Sequence, residues 1–462
     1  MSLISKIVSF LPEVKKPEQK KLGFKDKLIW TLVILIAFYI LSVIPLYGLG
    51  QNSLSRFREL SIILGASFGS ILSLGIGPIV TSSIVLQLLV GSGIIKLDLT
   101  THDGRTFFQG LQKITTIFFI LFESIVYVML GGLAPDPALV GNPAYFSFQL
   151  ILIAQLVVGG FLVLLMDEVV SKWGFGSGVS LFIAAGVASE IFIRAFSPLN
   201  SLGEFASGSG QPPVGAILVF FTSLLSGAPK EAIIAIVGVI STIIVFVISV
   251  YAQAMKVEIP LSFGRVSGYG VRWPLNFLYT SNIPVILIAA LLANFQLGAT
   301  FLQTKGIIDA GLATSIVGWI SGPPIVTGIL TGSFVLLDLV KAFVYILILA
   351  LGSVVFSIFW VQTSGMDAAS QARQIRAAGL HIAGFRTDER ILEKVLQRYI
   401  FPLTIMGGLF IGIIAASADL LGALSRGTGI LLAVMIIYKL YEDIAKHHMM
   451  DMHPAMRKMM GG

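Results

Sequence analysis

The sequence has no cysteine and few charged residues. Only 12% of its 462 residues are Asp, Glu, Lys or Arg, about half the share found in soluble globular proteins. The lack of cysteine excludes disulfides, thiolate metal sites, cysteine nucleophiles and iron–sulfur clusters. All five histidines lie outside the apolar runs, so we expect no metal site, no cofactor and no catalytic histidine within a membrane. They are His102, His381, His447, His448 and His453.

Apolar residues make up 56% of the chain, and the mean hydropathy is +0.92. A soluble fold cannot bury that much apolar surface, so we expect a polytopic membrane protein. A spanning helix needs about 20 apolar residues, and the length allows roughly ten. Long continuous apolar runs exclude a membrane β-barrel, whose strands alternate. The N-terminal residues contain Pro12, Pro17 and several lysines and are not typical of a cleavable signal peptide. Residues 4–11 favour a short interfacial amphipathic helix.

The predicted fold class is all-α, with ten transmembrane helices in two inverted five-helix halves around a central pore. The predicted spans are 28–47, 75–93, 107–131, 146–167, 177–195, 231–252, 281–297, 334–360, 399–418 and 428–445. Residues 62–74 and 214–227 are apolar but too short to cross, and we interpret them as half-helices. Five spans per half is an odd number, which inverts the second half relative to the first.

The distribution of basic residues predicts the orientation. With the N-terminus in the cytoplasm, 24 of the 31 Lys and Arg residues lie on the cytoplasmic side and six on the other. This bias predicts that both termini are cytoplasmic, and we expect the membrane to be the plasma membrane. The expected organisation is a tail 1–27, a segment 28–254 with the first half and the sixth span, a loop 255–273, a segment 274–445 that includes a cytoplasmic loop at about 362–398, and a tail 446–462.

A broken helix is the strongest local feature. The stretch SILSLGIGPIVTSSIVLQLLVGSG begins at Ser70, and its two glycines before Pro78 permit a sharp break ahead of a new helix. Such a break is tolerated at membrane depth where it lines a cavity or is buried in protein. One interpretation is a Pro-kinked core helix, and the other is a half-helix that lines a pathway.

Four stretches carry a resemblance to a known family. LGIGPIVTSSIVLQLLVGSGII, MDEVVSKWGFGSGVSLFIAAGV, YTSNIPVILIAALLANFQ and GGLFIGIIAASADLLGALSRGTGILLAVMIIYKLYE resemble spans two, five, seven, and nine with ten of the SecY family. These proteins are central subunits of protein-conducting channels, and the form here resembles the archaeal branch. The resemblance covers essentially the whole chain. It implies an hourglass pore, a plug, and a lateral gate that releases hydrophobic segments into lipid.

The resemblance implies a ring of aliphatic side chains that seals the pore. Matched motifs assign this pore ring to Ile76, Val80, Val179, Ile183, Ile286 and Leu432. Two pairs in it are spaced i, i+4, which places each pair on one helix face. Taken singly, each of these residues is more typical of an ordinary lipid-facing or core position, and only the motif context favours the ring.

The resemblance also implies a plug over residues 62–72. The plug residues are Ile62, Ile63, Leu64, Gly65, Ala66, Ser67, Phe68, Gly69, Ser70, Ile71 and Leu72. Small residues keep this segment thin, as a removable stopper requires. The alternative is an external half-helix without a gating role.

Polar residues within spans are functional candidates. Thr81, Glu123 and Asn294 match family positions that form a polar cluster at the lateral gate, although Glu123 also fits a structural acid with satisfied hydrogen bonds. Asp338 and Lys341 are i, i+3 neighbours, and we interpret them as a structural ion pair near an interface.

Basic loop residues predict a partner surface. Arg390, Lys394 and Arg398 are spaced i, i+4, i+8 on a helix predicted from residue 388, and Arg265 and Arg386 match the family's loop arginines. Such protrusions bind ribosomal RNA phosphates, whereas the alternative is a solvated face with anionic lipid contacts. The resemblance further implies SecE-like and small β-type membrane subunits, a nascent polypeptide and its signal sequence as partners.

Two other function classes match part of this pattern. A secondary transporter fits ten spans, inverted halves and a broken helix, but it needs several acids near the membrane centre, where Glu123 is nearly alone. An intramembrane hydrolase lacks a histidine or a paired aspartate motif within the spans. We therefore expect a passive polypeptide channel rather than an enzyme.

Overall fold

The structure is a computed structural model of the 462-residue chain. It describes residues 12–18, 22–50, 69–91, 94–95, 97, 101–129, 132–139, 141–200, 205–206, 212–263, 270–280, 283–304, 308–377, 380–382 and 389–452.

These residues form fourteen α-helices and three β-strands. The first helices are α1 (Phe24–Val43), α2 (Gly77–Gly91), α3 (His102–Met129), α4 (Pro143–Trp173), α5 (Gly178–Phe196), α6 (Ala216–Leu225) and α7 (Pro229–Ala254). The strands β1 (Lys256–Phe263) and β2 (Gly270–Asn276) follow. The remaining elements are α8 (Ile283–Thr304), α9 (Ala310–Ser321), α10 (Ile325–Thr331), α11 (Leu336–Thr363), α12 (Ala368–Ala377), β3 (Leu380–Ile382), α13 (Glu389–Leu420) and α14 (Gly427–Met452).

Each of the ten predicted spans falls on one of these helices. Seven stretches are long and apolar enough to cross a membrane: they lie on α1, α3, α4, α5, α7 and α13, and on α11 continued into α12. The helices α2 and α8 are shorter and apolar, and α14 is apolar in its first half. The segment predicted at 214–227 forms the short helix α6, as expected. The pair α9 and α10, bent by 113°, was not predicted.

Local sequence explains where several helices begin. The Asn142 side chain accepts a hydrogen bond from the Ala144 amide at 3.1 Å, and Pro143 occupies the first turn of α4. The Asp338 carboxylate accepts a hydrogen bond from the Val335 amide at the start of α11. Its other oxygen lies 3.6 Å from the Lys341 ammonium. The predicted ion pair is therefore confirmed.

A small antiparallel sheet in the order β2-β1-β3 joins the two loops that follow α7 and α12. Lys256 pairs with Asn276, and Ser262 pairs with both Gly270 and His381. The sheet packs on α12 and the start of α13 around a separate apolar core. The sheet was not expected from the sequence, because β3 has only three residues and lies more than a hundred residues from β1. We call this end of the bundle the sheet end.

The main core lies among the long helices. The helix α2 from the first half packs against α8 and α11 from the second, and α5 packs against α14. The two halves therefore meet along two seams. We call these the α2 seam and the α5 seam.

Candidate functional site: an aliphatic neck between the two halves

The six pore-ring residues all belong to or pack against the main core. Ile76, Val80, Ile183 and Leu432 are buried, whereas Val179 and Ile286 are partly buried. Val80 lies on α2, Ile76 lies immediately before that helix, and the other four lie on α5, α8 and α14, so the ring draws on both halves. The six side chains that the motifs assign to the ring therefore belong to one apolar cluster.

Three of the ring residues line a small cavity. Ile183, Ile286 and Leu432 face it together with Val187 and Ala289. These two were not assigned from the sequence. The spacing in the sequence could have identified both, since Val187 continues the i, i+4 series of Val179 and Ile183 and Ala289 lies one helical turn beyond Ile286. The cavity lies between α5, α8 and α14, and five of its eight lining residues are aliphatic.

The start of α5 is fixed by an acid from α4. The Asp167 carboxylate accepts a hydrogen bond from the Val179 amide at 2.9 Å. A Cβ at Gly178 would lie 2.5 Å from the Cα of Asp167, so only glycine permits this close crossing. This arrangement sets the height of Val179 and Ile183 along the bundle.

The segment that leads into α2 is a run of tight turns. Successive bonds join the amides of Ser73, Gly75 and Gly77 to the carbonyls three residues before them. The Ile71 carbonyl approaches Gly159 of α4 so closely that a Cβ there would lie 1.9 Å from the oxygen. Of the predicted plug, residues 69–72 belong to these turns rather than to a helix. Residues 62–68 lie outside the described part of the chain.

The polar cluster predicted at the gate is partly assembled. The Thr81 side chain on α2 hydrogen-bonds to the Glu123 carboxylate on α3, and Glu123 is only 9% exposed. Asn294 on α8 is exposed. Thr81 and Glu123 belong to one side of the α2 seam and Asn294 to the other, as their positions on the helices require.

A polar network lies at the end opposite the sheet. The Tyr345 hydroxyl and the Gly427 amide each donate to Asp419, at 2.5 Å. In the loop between α13 and α14, the Ser425 hydroxyl donates a hydrogen bond to Glu190 of α5 at 2.8 Å. Arg194 donates to the Leu424 carbonyl at 3.1 Å and forms an ion pair with Glu190. These bonds tie the loop between α13 and α14 to α5 across the α5 seam.

Comparisons with known proteins decide the family. The SecY family model matches residues 70–441. The protein translocase subunit SecY of Methanothermobacter thermautotrophicus is 44% identical, and the match covers 98% of each chain. A solved protein-conducting channel is 38% identical with a TM-score of 0.80, covering 97% of this chain and 98% of the other. A Sec61 structure from a canine ribosome-channel complex is 38% identical with a TM-score of 0.78, covering 97% and 98%.

The chain belongs to the SecY family. It is accordingly the channel subunit of a protein translocase, and the resemblance stated from the motifs is confirmed. The predicted ten-helix architecture agrees with the solved SecY and Sec61 channels. The secondary-transporter alternative is not favoured.

The basic face expected in a SecY loop lies on α13. Arg390, Lys394 and Arg398 are all exposed. Leu392 and Leu396, on the opposite face of the same turns, are buried in the core under the sheet. The helix predicted from residue 388 is therefore continuous with the ninth span. Arg265 and Arg386 lie outside the described residues.

An N-terminal segment of this SecY chain docks on the sheet end of α3 and α4. Lys172 donates to Glu13 and to the Val14 carbonyl, both at 2.7 Å. The Val14 amide donates to Glu168 at 2.9 Å, and Glu168 also pairs with Lys113. The predicted amphipathic helix at 4–11 lies outside the described residues. In the part of the chain that is described, no cluster of three or more potential metal ligands occurs.

Proposed function

We propose that the pore ring of Ile76, Val80, Val179, Ile183, Ile286 and Leu432 is the seal of the channel. The observation that carries this proposal is the cavity where Ile183, Ile286 and Leu432 from three helices of both halves converge. An aliphatic constriction excludes water and ions by dewetting. Aliphatic side chains make no directional bonds, so they also deform around any passing peptide. Residues 62–72 plug this neck.

Ion conductance of the resting channel tests the ring. Ile183→Asn and Ile286→Asn are expected to raise the leak in planar bilayers, because a polar neck becomes wet. Ile183→Leu is the matched control, since it keeps the neck apolar, and it should stay sealed. An unchanged leak in the double asparagine variant would contradict the assignment.

We further propose that Thr81, Glu123 and Asn294 hold the lateral gate shut. A signal sequence that enters the α2 seam separates α2 from α8 and releases hydrophobic segments into lipid. The buried Thr81–Glu123 bond supports this, because it braces α2 against α3 directly behind the seam. In this proposal the first five-helix half and the second move as two bodies.

The sheet end faces the cytoplasm in this proposal, in the plasma membrane, with both termini inside. The excess of Lys and Arg on that side supports it. Arg390, Lys394 and Arg398, with Arg265 and Arg386, bind the ribosome through RNA phosphates. The Sec61 relative in a ribosome-channel complex supports this partner.

SecE-like and small β-type subunits complete the assembly, and the chain itself is a passive conduit without enzymatic activity.

Ribosome co-sedimentation tests the basic face. The triple variant Arg390→Glu, Lys394→Glu and Arg398→Glu is expected to lose most binding at low salt. Lys341→Gln, a cation at the other end of the bundle, is the control and should bind normally. Equal ribosome binding by the triple variant and by wild type would contradict the proposal.

Nucleotide hydrolysis by the purified channel would contradict the passive role.

A further inference from the structure

Arg426 occupies an unexpected position beside the aliphatic neck. Among the residues that line the neck cavity, all of them described, it is the one that carries a charge. Arg426 precedes α14, and Leu432 of the ring lies six residues further along. At 1.5 Å per residue this separation is about 9 Å along the helix axis. The guanidinium therefore belongs to the side of the ring that faces away from the sheet end.

Helix stability does not account for this arginine. A cation at the N-terminus of a helix opposes the helix dipole, which favours anions there. Asp419 compensates part of this cost, since its carboxylate attracts Arg426. Both oxygens of that carboxylate already accept hydrogen bonds, from Tyr345 and from the Gly427 amide. Asp419 is thereby fixed beside the neck and does not line the cavity.

The other cations that the structure describes at this end are Arg194, Lys230 and Lys341, and none of them lines the neck cavity. Arg194 is bound to Glu190 and to the Leu424 carbonyl. Lys341 is paired with Asp338 at the start of α11. Neither lines the neck cavity. A polypeptide that leaves the ring therefore passes the Arg426 side chain before it reaches Arg194 or Lys341.

We propose that Arg426 is a specificity-determining residue that makes passage through the neck sensitive to the charge of the translocating segment. Acidic segments pass more readily than basic ones, because the guanidinium attracts carboxylates and repels ammonium groups in a confined space of low dielectric constant. The inference rests on the proposed ring as the passage. It adds a preference among substrates that an aliphatic neck alone lacks.

Translocation of matched substrates tests this preference. Membrane vesicles that carry the assembled channel receive one secretory protein in three forms, with a central block of six Glu, six Lys or six Ser. Wild type is expected to protect the Glu form from protease faster than the Lys form. Arg426→Gln should reduce this ratio about threefold, and Arg426→Glu should invert it. Arg426→Lys keeps the charge and should keep the ratio.

Lys341→Gln is the matched control, because it removes one cation from the same end without touching the neck, and its ratio should equal that of wild type. Translocation of the Ser form measures whether the channel still conducts a substrate whose central block is uncharged. A Glu-to-Lys ratio that is the same in wild type, Arg426→Gln and Arg426→Glu, with normal passage of the Ser form, overturns the role of Arg426. Failure of the ring is seen separately, as an unchanged leak in the asparagine variants of Ile183 and Ile286.

Discussion

Glu123 is a buried acid within an apolar helix, and Thr81 is its hydrogen-bond partner. Leaving such a group without a partner costs several kcal/mol by order of magnitude. The pairing therefore fixes α2 against α3 next to the α2 seam. Because α2 also packs against α8 and α11, a change at Thr81 is transmitted to the seam through one helix.

We predict that Thr81→Val lowers the signal hydrophobicity needed to open the channel. The lost hydrogen bond is worth about 1 kcal/mol, and because it lies within one half and acts on the seam only through α2, this value sets an upper limit of roughly fivefold on the shift in the opening equilibrium. Translocation of a graded series of signal sequences measures it. Thr81→Ser keeps the hydroxyl and should behave as wild type. Glu123→Gln and Asn294→Leu are expected to shift the threshold by different amounts, since the first keeps hydrogen-bonding capacity. One common threshold in all variants would mean that the cluster is only structural.

At the scale of elements, the turns before α2 depend on one glycine of α4. A methyl group at Gly159 would collide with the Ile71 carbonyl, and overpacking of this kind costs about 1–3 kcal/mol. We predict that Gly159→Ala lowers the apparent melting temperature of the purified channel and raises its leak. Gly298→Ala in α8, where a Cβ would meet open space, is the control and should lower neither the melting temperature nor the resistance to leak. Equal behaviour of the two would refute the close approach.

The N-terminal segment is a second element with a testable dependence, in this case on pH. The Lys172 ammonium, which donates a hydrogen bond to Glu13 and attracts it electrostatically, lowers the pKa of that carboxyl below its ordinary value of 4.5. A lowered pKa stabilises docking above about pH 4.5, and this contribution is lost as the pH falls through the lowered value. Glu13 is 62% exposed, so we assign it only about 0.5 kcal/mol.

Hydrogen exchange of residues 12–18 measures this docking. Exchange, corrected for its intrinsic pH dependence, is expected to increase below about pH 4. Glu13→Gln should exchange faster than wild type at pH 7 and show a weaker pH dependence. The same protection in both proteins at pH 7 would show that Lys172 holds the segment through the Val14 carbonyl alone.

At the scale of the whole molecule, the two seams differ in chemistry. Polar bonds cross the α5 seam, where Glu190 accepts from Ser425 and Arg194 reaches the Leu424 carbonyl. The α2 seam is lined by the short apolar helices α2 and α8. Directional bonds resist separation, whereas apolar contacts can be exchanged for a hydrophobic signal segment. The α5 seam therefore suits a hinge and the α2 seam suits an opening.

We predict that Glu190→Ala destabilises the whole channel by about 1–3 kcal/mol, because it leaves the buried Ser425 hydroxyl without its acceptor and removes the ion-pair partner of Arg194. A lower apparent melting temperature in detergent would show this. The control is Arg272→Ala, which breaks an exposed ion pair with Glu258 and should change stability by less than about 0.5 kcal/mol. Similar melting temperatures for both variants would remove the distinction between the seams.

The sequence by itself determined the membrane class, the ten spans and the family. Each rests on local information: apolar runs of spanning length, the sign of loop charges, and motifs such as the stretch around Pro78. The i, i+4 spacing also places Val179 and Ile183 on one face of α5, because helical geometry fixes that relation without knowledge of neighbours. The predicted plug was only partly tested, since residues 62–68 lie outside the described chain.

Only the tertiary structure decided which distant groups meet. The sheet pairs residues 256–263 with residues 380–382, and no local pattern joins segments more than a hundred residues apart. The same holds for Val187 and Ala289 in the neck wall and for Arg426 beside Ile183 and Ile286. Their neighbours are set by how helices from two halves pack, and packing depends on shape complementarity over the whole chain rather than on any one stretch.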